Sequence, residues 1–358
     1  MTNGHVYIIA EAGVNHNGSL AMARQLIDAA AAAGADAVKF QTFRADRLVT
    51  RQAPKAEYQA QTTDAGESQY EMIRKLELSE TDHLELIAYA RDKAIEFLST
   101  PFDADSLHLL TDRFGMQTIK VSSGDLTNAP FLLEIARTAQ KVIISTGMAT
   151  LAEIEAALGV LAFGFTAPVD ALPGREAFEA AYISDAGQQA LQQRVAVLHC
   201  TTEYPAPMGE VNLRAVDTIA AAFGVQAGYS DHTPGIHIPI AAVARGAMII
   251  EKHFTLDRSL PGPDHKASLE PSELAAMVVA IRDVERALGD GIKRPTPSEW
   301  KNRPIARKSL VAAHATAAGA PLELACKRPG SGVSPFELWT RAGQPASRAY
   351  ASDELLDA

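Results

Sequence analysis

The chain has 358 residues, 47% of them apolar and 21% charged, with a formal net charge of -10. That is the composition of a folded globular protein, long enough for a large domain of about 250 residues plus a small one. The negative balance argues against a nucleic-acid partner, and no apolar run approaches the roughly 18 to 20 residues that span a bilayer.

In chain order, short apolar runs alternate with amphipathic stretches. Strands are predicted at 6–10, 37–40, 96–99, 117–121, 141–145, 195–200, 226–229 and 248–253. Helices are predicted between and after them, among others at 20–33, 82–94, 104–114, 129–139, 151–162, 238–246 and 271–288. Eight such cycles are the count of a (β/α)8 barrel, an α/β fold. Two segments break the rhythm. Residues 163–194 carry Pro168, Pro173 and Gly174 and read as an insertion at the N-terminal face, where contacts or stability, not catalysis, are expected. The predicted organisation is a barrel over 1–290, a Pro-rich basic linker over 291–306 and a small turn-rich domain over 307–358.

Only Cys200 and Cys326 occur, and no basic-plus-apolar leader precedes the first strand, so a reducing cytoplasm is expected. Cys200 reads as a small core residue and His199, within VAVLHC, as a hydrogen-bonded core histidine.

Chemistry-capable residues gather at the predicted strand ends, which in a barrel converge at one mouth. His232 and His253 end the seventh and eighth strands and would be neighbours, either as divalent-metal ligands or as ordinary hydrogen-bonded histidines. Glu251 lies two residues before His253, so alternation turns both inward. A carboxylate there needs a partner, and its role stays open among metal ligation, orientation of a substrate hydroxyl and neutralisation of Lys39 or Lys120. Those lysines, with Ser123, Ser145 and Ser230, suit a phosphate and a carboxylate. Lys120 could equally form a Schiff base, which would make the protein a metal-free aldolase. No glycine-rich phosphate loop is present, so a nucleotide cofactor is not expected.

The motifs IAEAGVNHNGSL, AVKFQTF, STPFD, IKVSSGDLTN, IISTGM, LHCTTEYPAP, GYSDHTPG, EKHFTLDRSLPGPDH and KRPGSG stand in the order found in the N-acetylneuraminate synthase family, which the chain resembles over nearly its whole length. The resemblance implies a (β/α)8 TIM barrel joined to a small C-terminal antifreeze-like domain. It further implies a domain-swapped homodimer in which that domain covers the partner's active site. It implies a manganese or magnesium ion on His232 and His253, and phosphoenolpyruvate contacts from Lys39, Lys120, Ser123, Ser145, Ser230 and Thr202, the last standing where some relatives have Asn. Glu11, Tyr204, Glu251 and Asp264 match sugar-contacting positions, with Arg328 reaching in from the other subunit.

The expected reaction joins phosphoenolpyruvate to an open-chain N-acylated mannosamine-type sugar. The segments APKAEYQ and ESQYEM resemble those of legionaminate-type synthases, which places legionaminate or neuraminate ahead of pseudaminate as the product. Two departures stand out. Residues 319–327 run about three residues short of the family pattern, and the 163–194 insertion is absent from compact members. A non-enzymatic carbohydrate- or ice-binding reading is disfavoured, because an inert barrel gains nothing from an interior charge cluster.

Overall fold

The computed structural model describes residues 5–64 and 66–357 and divides into two compact units, Met1–Gly289 and Asp290–Ala358. In the first, eight parallel strands form one sheet. They are β1 (Tyr7–Gly13), β2 (Ala37–Thr42), β3 (Glu96–Pro101), β4 (Thr118–Val121), β5 (Lys141–Ser145), β6 (Val195–Cys200), β7 (Gln226–Asp231) and β8 (Ile249–His253). The ladder runs β3-β2-β1-β8-β7-β6-β5-β4, and β3 packs beside β4 to bring the sheet round on itself. This is the (β/α)8 barrel expected from the alternation of elements.

Strand alternation divides the barrel interior into two layers. A lower layer of Ile9, Ala37, Leu98, Ile143, Ala196, Leu198 and Ile249 is apolar and almost fully buried. The interior is tight enough that a Cβ on Gly228 would stand 2.5 Å from the Ile249 carbonyl and from Leu198 Cδ2, so only glycine fits. Two residues further along, the same inward direction carries Glu11, Lys39, Thr100, Ser145, Cys200, Ser230 and Glu251, converting a plug into a polar floor. Outward-facing residues such as Ile8, Val38, Phe97, Ile144, Val197 and Ile250 pack under the helices.

The helices are specified by ordinary signals. Leu20–Ala33 opens with Ser19 accepting from the Met22 N–H and closes on left-handed Gly34; its Leu26, Ile27, Ala30 and Ala33 are buried. Pro271–Leu288 starts on proline and buries Leu274, Met277, Val278 and Ile281 at helical spacing. The structure extends β1, β2, β3 and β7 beyond their predicted ends, because the polar residues that close them remain paired with neighbouring strands. It also shows three short helices, Ala45–Leu48, Glu57–Thr62 and Gln69–Arg74, in the long connection after β2, too short for a periodic pattern to reveal. The segment 163–194 holds the end of helix Leu151–Thr166 and two helices, Arg175–Ile183 and Asp185–Arg194, packed on it; the last runs directly into the start of β6.

The second unit contains β9 (Ser309–Ala312) and β10 (Leu324–Lys327), paired antiparallel, over a small core of Leu310, Ala312, Leu322, Val333, Ala346, Tyr350 and Leu356. The Pro-rich stretch assigned to a linker forms two short helices, Pro297–Trp300 and Arg303–Ala306, each with a proline in its first turn, where the missing N–H costs nothing. No helix among the described residues is long and apolar enough to cross a membrane.

Candidate active site

At the C-terminal mouth of the barrel lies a cavity of about 430 Å³. It is lined by Glu11, Lys39, Lys120, Ser123, Ser145, Thr202, Tyr204, Ser230, His232, Glu251, His253 and Asp264. Twelve of the thirteen residues singled out from sequence therefore share one cavity. The thirteenth, Arg328, follows β10 in the second unit.

The floor is a cluster of two carboxylates and two ammonium groups. Register places Glu11 opposite Lys39 and Ser230 opposite Glu251. Lys39 Nζ lies 2.6 Å from Glu11 Oε2, donates to Thr100 Oγ1 at 3.1 Å and stands 3.6 Å from Glu251 Oε2. Lys120 Nζ donates to Ser145 Oγ at 2.6 Å and to the Val121 carbonyl at 3.2 Å, and is 3.6 Å from Glu251 Oε1. Ser230 Oγ donates to Glu251 Oε1 at 2.8 Å.

Burial and charge set the protonation states. Burial raises the Glu11 carboxyl to about 7 against the pull of Lys39. Burial also opposes ionisation of Glu251, but Lys120 and Lys39 prevail and hold it near 2. Burial would lower the Lys39 ammonium, yet Glu11 and Glu251 outweigh it and raise its pKa. Lys120, with fewer contacts to carboxylate, is lowered by burial. Glu11 is thus the one floor carboxyl close to exchanging its proton at neutral pH.

Beside the floor stand three rings. Tyr204 packs on His232 with centroids 4.1 Å apart, and His232 lies 5.6 Å from His253. Burial pushes His232 down to about 4 and His253 well below the usual range, so both are neutral. His232 Nδ1 contacts the Thr201 carbonyl at 2.6 Å; a carbonyl only accepts, so that nitrogen carries the proton and Nε2 keeps its lone pair. His253 Nδ1 is buried with no hydrogen-bond partner among the described residues, and Asp264 Oδ2 is 4.0 Å away. Burial holds Asp264 near 6. Two neutral imidazoles, one with an orphaned nitrogen, fit a divalent cation. Among the described residues no group of three or more His, Cys, Asp or Glu is disposed to hold a metal, so further ligands would come from water or substrate.

Near Lys120, the Gly147 N–H donates to Ser123 Oγ at 2.9 Å, and Ser123 Oγ lies 3.2 Å from Cys200 Sγ. A Cβ on Gly147 would stand 2.0 Å from Thr202 Oγ1. This close approach gathers two hydroxyls and a thiol, and Cys200, read from sequence as core, also lines the cavity. His199 Nε2 donates to the Val211 carbonyl at 2.7 Å, and His199 does not line the cavity.

The opposite wall was marked from sequence only through the segments APKAEYQ and ESQYEM, with no residue of it placed at the site. Phe43, Leu48, Val49, Gln59, Gln69, Met72, Ile73, Leu76 and Phe102 line the cavity from the connection after β2 and the end of β3. Gln41 and Thr100, each one residue past a predicted strand end, also line the cavity. The NHNG motif builds the scaffold behind: Asn15 donates to the Phe254 carbonyl and to Ser268 Oγ, and a Cβ on left-handed Gly18 would meet the Lys75 carbonyl at 2.5 Å.

The model of the NeuB family matches residues 26–293. The chain belongs to this family. Among NeuB relatives, it is 48% identical over 352 residues to an N,N'-diacetyllegionaminic acid synthase of Campylobacter jejuni, covering 98% of each chain. It is 43% identical over 353 residues to one of Legionella pneumophila, covering 98% of this chain and 93% of that one. The structure is similar to the N-acetylneuraminic acid (sialic acid) synthetase of Leptospira borgpetersenii, with TM-score 0.66 and 33% identity over 83% of this chain and 90% of that chain.

Proposed function

We propose that this NeuB-family protein condenses phosphoenolpyruvate with an open-chain N-acylated mannosamine-type sugar and water, giving a nine-carbon sialic-acid-like keto acid and phosphate. N,N'-diacetyllegionaminate is the product favoured by the near-full-length similarity to two proteins of that name. The observation that carries the reading is the buried floor, where Lys39 and Lys120 are held between carboxylates and hydroxyls at the edge of a cavity.

Lys39, Lys120 and the hydroxyls of Ser123, Ser145, Ser230 and Thr202 anchor the donor's phosphate and carboxylate, so that positioning and fixed charge supply much of the rate gain. C3 of the donor forms the new bond to the aldehyde carbon, water adds at C2, and the tetrahedral intermediate expels phosphate. Glu11, near 7, carries the proton that the aldehyde oxygen takes up as it becomes a hydroxyl. Glu251 stays ionised and fixes both lysines, while Tyr204 and Asp264 border the sugar. His232 and His253 would hold a manganese or magnesium ion, which when bound supplies Lewis acidity toward the aldehyde oxygen.

We further assign residues 307–358 to an antifreeze-like domain, in a homodimer where Arg328 serves the site of a second copy. Phe336 and Trp339, 90% and 81% exposed in the second unit, support a contact surface there. The two free cysteines support a cytoplasmic setting.

The deciding measurement is phosphate release from phosphoenolpyruvate with manganese and 2,4-diacetamido-2,4,6-trideoxymannose. Release is expected to stop with a chelator, and His253→Ala should abolish it while leaving the thermal transition in place. Full turnover in either condition overturns the metal assignment. A borohydride-trapped pyruvate adduct on Lys120 would replace the synthase by an aldolase.

A further inference from the structure

The cavity has two chemically distinct halves, and the synthase reading uses only one of them. Its charged floor ends at Glu11, Lys39, Lys120 and Glu251, whose charges largely answer one another. The wall built by residues 48–76 presents only apolar or carboxamide side chains among the described residues lining the cavity. Met72 and Leu76 are buried, Val49 and Ile73 half-buried. Gln69 Nε2 donates to Gln59 Oε1 at 3.4 Å, which sets two carboxamides side by side within the apolar surface.

This wall is held in place from two directions. Leu76 packs in one apolar cluster with Val14 and Phe43, and the Lys75 backbone abuts Gly18 closely enough to exclude any side chain there. A fixed apolar surface discriminates by what it leaves unpaired. A hydroxyl pressed against it loses its water without gaining a partner, and a phosphate would find no cation. A methyl group loses nothing. Gln59 Oε1 is engaged by the Ala56 N–H at 3.0 Å as well as by Gln69, and Gln59 Nε2 is a donor and Gln69 Oε1 an acceptor, the complement of an acylamino group.

We infer that the 48–76 wall selects the acceptor sugar. Val49, Met72, Ile73 and Leu76 receive a methyl terminus in place of a hydroxymethyl or phosphate-bearing carbon, and Gln59 with Gln69 receives an acylamino substituent. The inference rests on the synthase reading and adds the residues that set its specificity. The acceptor class is an uncharged, 6-deoxy, diacylamino aldose.

The test compares kcat/KM, by phosphate release, for three acceptors: 2,4-diacetamido-2,4,6-trideoxymannose, its 6-hydroxy counterpart, and N-acetylmannosamine 6-phosphate. The wild type should prefer the 6-deoxy sugar over the 6-hydroxy one by roughly 10- to 100-fold and reject the phosphorylated sugar, the range an apolar pocket achieves against an added hydroxyl. Val49→Thr exchanges a methyl for a hydroxyl at unchanged shape; Ile73→Thr also introduces a hydroxyl and shortens the side chain by one carbon. Each should narrow the C6 preference about tenfold without changing KM for phosphoenolpyruvate. A wild type indifferent to C6, or two threonine variants with normal donor KM and unaltered preference, overturns the inference while leaving the synthase intact. No phosphate release with any acceptor overturns the synthase reading and this inference with it. If Ile73→Thr also loses donor binding, the Val49→Thr result decides.

Discussion

Strand β8 places two buried charges side by side, and they have opposite fates. Glu251 points into the barrel; Lys252, the next residue, points out beneath the helices. Lys252 Nζ lies 2.5 Å from Asp231 Oδ2 and also donates to the Thr233 carbonyl, while Asp231 accepts from the Thr233 N–H at 2.9 Å. Both side chains are wholly inaccessible, and the pair is sealed. Glu251, by contrast, has lysines at 3.6 Å on two sides, faces a cavity, and leaves Oε2 without a hydrogen bond among the described residues. The Lys252–Asp231 pair is closed off with no face left for a ligand, whereas Glu251, held 3.6 Å from Lys39 and from Lys120, has room for a substrate to complete it.

The sharpest way to break this contrast is Lys252→Met. It leaves Asp231 buried and uncompensated and should cost about 3 to 5 kcal/mol in urea unfolding, and adding Asp231→Leu should recover most of the loss. Recovery of stability without recovery of activity would show that the pair also orients His232, its neighbour on the chain. Lys120→Met should do the reverse. It lowers kcat/KM roughly 10²- to 10³-fold by removing a donor anchor, yet the thermal midpoint should not fall, because Glu251 keeps Lys39. A drop comparable to that of Lys252→Met would erase the distinction between the two sites.

Gly147→Ala sharpens the comparison at the donor end. The added methyl collides with Thr202 Oγ1, and KM for phosphoenolpyruvate should rise by roughly one to two powers of ten, the scale of a misplaced contact. The smallest effect is on pH. Glu11 acts as an acid, so kcat/KM should fall as pH rises through about 7, by up to about tenfold per pH unit. Glu11→Gln should flatten that limb. If the limb persists in Glu11→Gln, another group carries the proton.

The sequence made the floor legible because period-2 alternation is local. Once β8 is a strand, Glu251 and His253 must share a face, and once the fold is a barrel, strand ends from Glu11 to His253 must meet. The wall was legible only as two family-like segments, not as a surface. Gln59, Met72 and Ile73 sit on short helices and Val49 just past one, in a long connection, and nothing local says that Met72 turns inward beside Gln69 while Lys75 backs onto Gly18. Cys200 illustrates the same limit: its burial was evident from VAVLHC, but its contact with Ser123 depends on how β4 and β6 meet β5 across the sheet.

By itself, then, the amino-acid order determined the strand count, the inward set of polar residues and, through its ordered motifs, the family. The tertiary structure alone decided that Lys252 is sealed on Asp231 at 2.5 Å while Glu251 stands 3.6 Å from two lysines at a cavity, since burial and distance arise from how separate strands pack. It alone also decided that an apolar wall faces the charged floor, because a long connection gains its orientation from contacts distant in sequence, not from any periodicity of its own.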